Sequence, residues 1–159
     1  MAMVIIRKSV AQDCNQGIGR YLRYNIQADK GSMFNTPPVF PIYMVGKVLK
    51  WMRDIGGIDV IERMANEKAA DLYQSIDNSE GFYRCPVEED SRSVMNVVFR
   101  LPSEDLEKIF ISEASEAGLL NLKGHRSVGG IRASIYNAMP ADGVRALTDF
   151  MAAFKSSHS

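Results

Sequence analysis

The spacing of apolar and polar positions predicts four helices. From residue 58 to residue 76, apolar residues recur every three or four positions, which gives an amphipathic helix one apolar face. A second such helix follows Ser103, a good N-cap residue, and a third begins near Pro140. Residues 39–55 are bounded by a proline pair and a glycine pair and are apolar on nearly every side. This stretch is therefore predicted to be a helix buried almost all round.

Short apolar runs predict strands. Residues 4–6 are typical of a buried strand, and residues 22–27 alternate apolar and polar as a half-buried strand does. Four further runs have strand character: 82–84, 94–101, 119–122 and 131–136. The order β-β-α-β-β-α predicts an α+β second half, with helices on one face of a mixed or antiparallel sheet. Residues 7–38 otherwise lack periodicity, and loops of that length are usually functional.

Composition excludes several protein classes. The chain has 159 residues, 46% hydrophobic and 24% charged, which is ordinary for a globular domain. Lys plus Arg equals Asp plus Glu at 19 each, so no global field favours nucleic acid or an acidic membrane. With two distant cysteines and two histidines, we expect free thiols and no metal site. No apolar run is long enough for a membrane span, and no basic segment precedes the first apolar run, so we expect a soluble, cytoplasmic protein.

The strongest chemical signal is the segment 123–132. Its ten residues include Lys123, His125, Arg126, Arg132 and three glycines, while 117–141 contains no acidic residue. Arginine forms bidentate contacts with carboxylate and phosphate, and glycine lets a backbone approach a ligand closely. The segment therefore predicts a site for a small dianionic molecule. From composition alone, a solvated loop between two strands explains it equally well.

A second signal is Asn35-Thr36 before the proline pair. It presents an amide and a hydroxyl ahead of a helix N-terminus, where phosphates bind readily. Ordinary N-capping explains the same residues more simply. Two other patterns fail: the segment from Gly17 to Gly19 lacks the third glycine of a dinucleotide loop, and Ser127 near His125 has no acidic partner for a hydrolase triad.

Several segments together resemble the phosphoserine aminotransferase family, which belongs to the class V aminotransferases of fold type I. The resemblance runs along essentially the whole chain and matches the C-terminal portion of the family. The segments that carry it are GSMFNTPP (31–38), SVMNV (93–97), GHR (124–126), GGIR (129–132) and ASIYNAMP (133–140).

The resemblance implies a pyridoxal-phosphate enzyme. Such enzymes transfer an amino group between glutamate and 3-phosphohydroxypyruvate to give phosphoserine and 2-oxoglutarate, for serine and in bacteria often pyridoxine biosynthesis. It implies homodimers whose active sites are shared between subunits. The zero net charge argues against nucleic acid as a partner, and the short apolar runs argue against a membrane. The fold class expected is α/β, with the end of a fold type I cofactor domain over residues 1–57, followed by a connecting helix and an α+β small domain over 58–159.

By position, the resemblance also assigns roles to five residues. Asn35 and Thr36 match residues that reach the cofactor phosphate of the neighbouring subunit. Arg132 matches the arginine for the substrate α-carboxylate. His125 with Arg126 matches the pair that recognises the substrate phosphate, again from the neighbouring subunit.

No catalytic residue is expected in this chain. The family's Schiff-base lysine belongs just before the run at residues 4–6, and Lys8, which follows that run, does not match it. Because the cofactor chemistry requires that lysine, we expect the chain alone to be inactive. The alternative from another functional class is a stand-alone module that binds anions without catalysis.

Overall fold

The chain divides into two compact units. The computed structural model describes residues 1–13, 15 and 17–158, and the units are Met1–Asp54 and Ile55–Ser159. Cys14 lies outside the described residues, and Cys85 is a free thiol. Within the described residues, no helix combines the length and apolar character that crossing a bilayer requires.

All the regular secondary structure described in the first unit is helical. Its elements are α1 (Lys8–Gln12), a 3-10 turn (Arg20–Leu22), α2 (Tyr24–Asp29) and α3 (Val39–Asp54). The prediction of a helix after the proline pair is confirmed, and it ends one residue before the predicted position. A helix can begin directly after a proline because its first N–H groups need no intrahelical acceptor.

Two strand predictions in this unit are wrong. Residues 4–6 are in no regular element, and Ile5 is 95% exposed. A strand needs a neighbour for its backbone hydrogen bonds, and the described part of this unit contains no second strand. Residues 22–27 form the 3-10 turn and α2 instead, because their backbone hydrogen bonds close locally, as from Gln27 N–H to the Arg23 carbonyl (3.3 Å).

The predicted burial of α3 is also wrong. None of its 16 residues is buried, and its large apolar side chains, such as Phe40 at 72% exposure, face outward. The prediction failed because density of apolar residues indicates that a helix can be covered, whereas burial requires a surface that covers it.

The second unit contains three long helices and two strands. Its elements are α4 (Ile58–Asp77), a 3-10 turn (Glu89–Ser91), β1 (Asn96–Phe99), α5 (Glu104–Glu116), β2 (Ile131–Ser134) and α6 (Ala141–His158). All three predicted helices of this half are confirmed. The predicted N-cap of α5 is confirmed too, because the Ser103 hydroxyl accepts from the Leu106 N–H at 3.2 Å.

The sheet is smaller than predicted. Strands β1 and β2 pair antiparallel, with Val98 opposite Arg132 and Phe99 opposite Ile131. The predicted strands at 82–84 and 119–122 are reduced to single bridges, Arg84 with Arg100 and, just beyond the second, Lys123 with Ile131. Turn geometry limits both segments, since the first follows a positive-φ glycine and precedes a proline, and the second contains a residue at φ 62°.

One face of this sheet and the three helices enclose the core. Val97, Phe99, Ile131 and Ala133 point inward along the two strands. The Phe110 ring of α5 is fully buried and meets the rings of four other aromatic residues at centroid distances of 5.0–6.1 Å: Tyr83, Phe99, Phe150 and Phe154. The helices therefore lie on one face of the sheet, as predicted, and the opposite face carries Arg132.

A buried lysine fastens the turn after β2. Lys68 of α4 is 3% exposed, and its Nζ donates to the carbonyls of Ile135 (3.0 Å), Tyr136 (2.8 Å) and Met139 (2.9 Å). The three hydrogen bonds use all three ammonium protons. Burial lowers the pKa of Lys68 from its ordinary value.

Candidate functional site

The glycine- and cation-rich segment is a closed loop between the Lys123 bridge and β2. Gly124 N–H donates to the Gly130 carbonyl at 2.8 Å, and the N–H groups of Val128 and Gly129 both donate to the His125 carbonyl, at 2.9 and 2.8 Å. A Cβ at position 124 would lie 2.0 Å from the Gly129 carbonyl oxygen, so only glycine fits there. The loop therefore has a defined conformation of its own.

His125 presents one ring nitrogen outward. Its Nδ1 lies 2.7 Å from the Ser127 hydroxyl and accepts from the Ser127 N–H at 3.3 Å. Because Nδ1 accepts that N–H, the neutral ring carries its proton on Nε2. Nε2–H is then the donor that the exposed ring offers to a ligand.

A cavity of about 480 Å³ lies beside this loop. Its charged or titratable lining residues are Arg100, Glu104, Glu107, Lys108, Lys123, His125 and Arg126. Four of these are permanent cations and two are carboxylates, so the cavity is positive even with a neutral histidine. Lys108 also forms a hydrogen bond to Asp105 at 2.7 Å, which lowers the pKa of that carboxyl. The balance of charge favours an anion.

Arg132 lies on a different surface from this cavity. It is the second residue of β2, half-buried, on the sheet face opposite the core, and it is absent from the cavity lining. Its Nε atom is buried and has no hydrogen-bond partner. A buried guanidinium nitrogen without an acceptor is costly, so this face of β2 offers a donor for an anion.

Asn35 and Thr36 lie in the first unit, before α3. Both are exposed, and the preceding Phe34 ring lies 5.6 Å from the Arg20 guanidinium carbon, which ties this segment to the 3-10 turn. The amide and hydroxyl are thus available to an acceptor. Within the second unit, the structure brings His125 and Arg126 together in one cavity and leaves Arg132 on another surface.

Four charged residues of the cavity were missed in the sequence: Arg100, Glu104, Glu107 and Lys108. Arg100 follows β1 and Glu107 lies in α5, and their side chains meet with Arg100 Nε 3.1 Å from Glu107 Oε1. Neither belongs to the cation-rich segment. The one available signal was an arginine directly after a buried strand, which is too common a pattern to single out.

Comparison with known proteins identifies the family of this chain. The model of the family "Aminotransferase class-V" matches residues 3–147. The chain belongs to the class-V aminotransferases. It is 54% identical over 158 residues to the phosphoserine aminotransferase of Laribacter hongkongensis, and this match covers 99% of the chain and 44% of the relative. The chain therefore spans less than half the length of that relative.

Solved structures agree with the sequence matches. The chain is similar to the phosphoserine aminotransferase of Bacillus circulans subsp. alkalophilus, with a TM-score of 0.93 and 46% identity over 97% of this chain and 43% of that one. It is also similar to the PLP-bound enzyme of Trichomonas vaginalis, with a TM-score of 0.81 and 35% identity over 87% and 39% of the two chains. The resemblance that the motifs predicted is confirmed, as is the α/β fold class.

Proposed function

We propose that this class-V aminotransferase chain is the C-terminal part of a pyridoxal-phosphate-dependent phosphoserine aminotransferase. The whole enzyme would transfer an amino group between glutamate and 3-phosphohydroxypyruvate, giving phosphoserine and 2-oxoglutarate. The observation that carries the proposal is the 54% identity to a phosphoserine aminotransferase along 99% of the chain. The positive cavity beside His125 and Arg126 supports it, because phosphoserine carries a phosphate group.

In this proposal Arg132 binds the α-carboxylate that both amino-acid substrates share. Its guanidinium stands on the sheet face opposite the core, with Nε buried and unpartnered. A carboxylate can accept two parallel hydrogen bonds from a guanidinium, which orients the substrate as well as holding it. Because strand β2 is hydrogen-bonded to β1, the base of this side chain has a fixed position.

In this proposal His125 and Arg126 bind the phosphate group of a substrate held in the active site of the neighbouring subunit, whereas Arg132 acts in the active site of its own subunit. A phosphate monoester carries close to two negative charges and three acceptor oxygens. The Arg126 fork and the His125 Nε2–H supply donors, and Lys123 adds a further positive charge at the same cavity. The side-chain carboxylate of glutamate carries less negative charge than a phosphate and depends less on these cations. The pair should therefore favour the phosphorylated substrate over glutamate.

Asn35 and Thr36 are proposed to hold the cofactor phosphate of the neighbouring subunit in a homodimer. Their exposed amide and hydroxyl, three to four residues before a helix, fit a phosphate group. Pyridoxal phosphate, when bound, supplies the electron sink for amino-group transfer. The residues of this chain would bind and orient, holding the cofactor phosphate and the two anionic ends of the substrate.

Three further proposals follow from the resemblance. Residues 1–57 complete the cofactor domain, and residues 58–159 form the connecting helix and small domain. The protein works in the cytoplasm in serine biosynthesis and contributes to pyridoxine biosynthesis. The 159 residues alone are inactive, because the Schiff-base lysine belongs ahead of residue 4 and Lys8 does not match it.

A chimera tests the activity. The chain would replace the matching 158-residue segment of the Laribacter hongkongensis enzyme, and each half-reaction would be followed in single turnovers with phosphoserine or glutamate. We expect transamination by the chimera and none by the 159-residue chain. A folded chimera that converts neither substrate would contradict the proposal. Cofactor-free binding of phosphoserine by the chain, combined with an inactive chimera, would favour the stand-alone anion-binding module.

Substitution in the chimera tests the phosphate role. Arg126→Ala should lower kcat/KM for phosphoserine at least about tenfold, the loss of one charge-assisted interaction, and change the glutamate half-reaction less. Arg63→Ala, at an exposed arginine of α4, is the matched control and should change neither. Equal losses in both half-reactions would show that Arg126 acts as general scaffold.

A further inference from the structure

Arg100 connects the site loop to a buried carboxylate. Its Nε lies 3.1 Å from Glu107 Oε1 in α5, and its Nη1 donates to the Val128 carbonyl at 2.8 Å. The planar guanidinium thus spans from a helix of the core to the tip of the loop that carries His125 and Arg126. Arginine can do this because its donors are held in a rigid fork.

The loop approaches this arginine closely through two glycines. A Cβ on Gly129 would lie 2.7 Å from Arg100 Nη1, and a Cβ on Gly130 would lie 2.6 Å from Arg100 Cδ. Both glycines have positive φ, 75° and 71°. The Gly-Gly pair therefore gives the backbone the space and the conformation to lie against Arg100.

Glu107 needs this partner for electrostatic reasons. Its side chain is nearly buried, and the residue lines the same positive cavity as His125 and Arg126. Its second contact is with the Leu101 N–H at 3.4 Å. A buried carboxylate without a cation is strongly destabilising, and beside an anion site it would also repel the ligand. Arg100 offsets that charge and, with the same side chain, contacts the loop.

We propose that Arg100, oriented by Glu107, is a positioning residue that sets the conformation of loop 124–130 and so presents His125 and Arg126 to a phosphate group. Arg100 acts on the loop through the Val128 carbonyl and the glycine pair. The phosphate part rests on the proposed function. The positioning part rests on the contacts of Arg100 alone, and it can be tested separately.

Amide exchange in the full 159-residue chain measures the loop directly. In Arg100→Met, the Val128 and Gly129 amides, which bond to the His125 carbonyl, should exchange at least about tenfold faster, the equivalent of one lost charge-assisted hydrogen bond. The Ile135 amide, bonded to the Met95 carbonyl, serves as an internal reference and should keep its rate relative to global stability. Unchanged exchange at Val128 and Gly129 in a folded Arg100→Met chain would overturn the proposal.

A double variant separates positioning from simple charge compensation. Arg100→Met/Glu107→Gln removes both charges and keeps an acceptor for the Leu101 N–H. If Arg100 positions the loop, global stability recovers towards the wild-type value while the loop amides still exchange fast. Recovery of loop protection together with stability would mean that the pair is purely structural, and the proposal would be wrong. Should Arg100→Met fail to fold, Arg100→Lys keeps the charge but cannot reach both acceptors, and it should show the same loop-specific acceleration.

Phosphate binding completes the test. Inorganic phosphate, followed by shifts of the His125 and Gly129 signals, should bind the single and double variants at least about fivefold more weakly than wild type, because part of the affinity comes from a preformed loop. Equal affinity in all three would overturn the proposal. If the wild-type chain shows no phosphate shifts while Arg100→Met still accelerates loop exchange, the phosphate-binding role of His125 and Arg126 fails and the role of Arg100 in shaping the loop stands.

Discussion

Helices α3 and α6 are both apolar-rich and similar in length, yet their environments differ completely. The 18 residues of α6 bury Val144, Leu147, Met151 and Phe154, at spacings of three and four, in the core of the second unit. The 16 residues of α3 in the first unit bury none. The contrast extends to the units, since nearly all buried apolar residues of the described chain lie in the second, with Ala11 the exception. The two helices are therefore alike in apolar content and differ in whether another part of the described chain covers their apolar side chains.

The largest expected difference concerns stability. Phe110→Ala in α5 should lower the free energy of unfolding by about 3–5 kcal/mol, because Phe110 is fully buried among four aromatic rings. The same substitution at Phe40 in α3, which is 72% exposed, should cost less than about 0.5 kcal/mol. Urea unfolding of both variants measures this. Similar losses at the two positions would mean that α3 is covered in solution.

A smaller effect separates substrate binding from stability within the second unit. Arg132→Ala in the chimera should weaken both amino-acid substrates by about 1.5–3 kcal/mol, because the α-carboxylate is common to them. The stability of the chain should change little, since Arg132 lies opposite the core with an unpartnered Nε. KM for each substrate and urea unfolding give the two readouts. Wild-type KM values would remove Arg132 from the carboxylate site.

The next effect in size is a loss of stability at alkaline pH, which only a unit with a buried core can show. Tyr83 is buried and donates its hydroxyl to the Met151 carbonyl at 2.8 Å, and burial raises its pKa far above the usual value. The folded state therefore keeps a proton that the unfolded state loses above about pH 10, so stability falls with rising pH there, by up to about 1.4 kcal/mol per pH unit. Tyr83→Phe should cost about 1 kcal/mol at neutral pH and make the alkaline decline shallower.

Unfolding midpoints between pH 8 and pH 11 test this. Tyr43→Phe, at an exposed tyrosine of α3, is the control and should leave the profile in place. Lys68 acts in the opposite direction, because its lowered pKa makes stability rise with pH towards its ordinary value, so the comparison must be between variants at each pH. An alkaline decline as steep in Tyr83→Phe as in wild type would assign the effect to another group.

The smallest effect concerns association. The exposed apolar side chains of α3 form a surface of the kind that drives self-association. Leu49→Lys should shift the 159-residue chain towards smaller species in size-exclusion chromatography, with a change in unfolding free energy below about 0.5 kcal/mol. Lys47→Ala, on the same helix, is the control. A wild-type chain that stays monomeric at high concentration would contradict the expectation.

The same comparison shows which parts of the fold the sequence could predict. All four long helices were predicted close to their observed bounds, because periodicity, Ser103 and the Pro and Gly boundaries are local signals. Strands depend on distant partners, and so 4–6 was assigned wrongly and 82–84 and 119–122 were assigned too generously. The burial of α3 failed for that reason as well.

The same distinction between local and distant signals applies to the candidate site. The cations of 123–132 and their glycines were visible as a run in the sequence, and the structure gathers His125 and Arg126 into one cavity. Arg100 and Glu107 are distant from that run in sequence and come to the loop through the pairing of β1 with β2, which sets Phe99 opposite Ile131, and through the position of α5. A residue that acts on a loop through a backbone carbonyl cannot be recognised from the composition of the sequence.

The ammonium of Lys68 has one consequence for chemical labelling. Each of its protons is held by a backbone carbonyl, and the residue is 3% exposed, so an amine-directed reagent cannot reach it while the second unit is closed. The exposed lysines of the chain, such as Lys30 and Lys123, would react at once. Acylation of Lys68 would therefore measure the fraction of molecules in which the second unit has opened, because each such molecule acquires one irreversible modification. The measurement works in a reagent that has already acylated every surface amine.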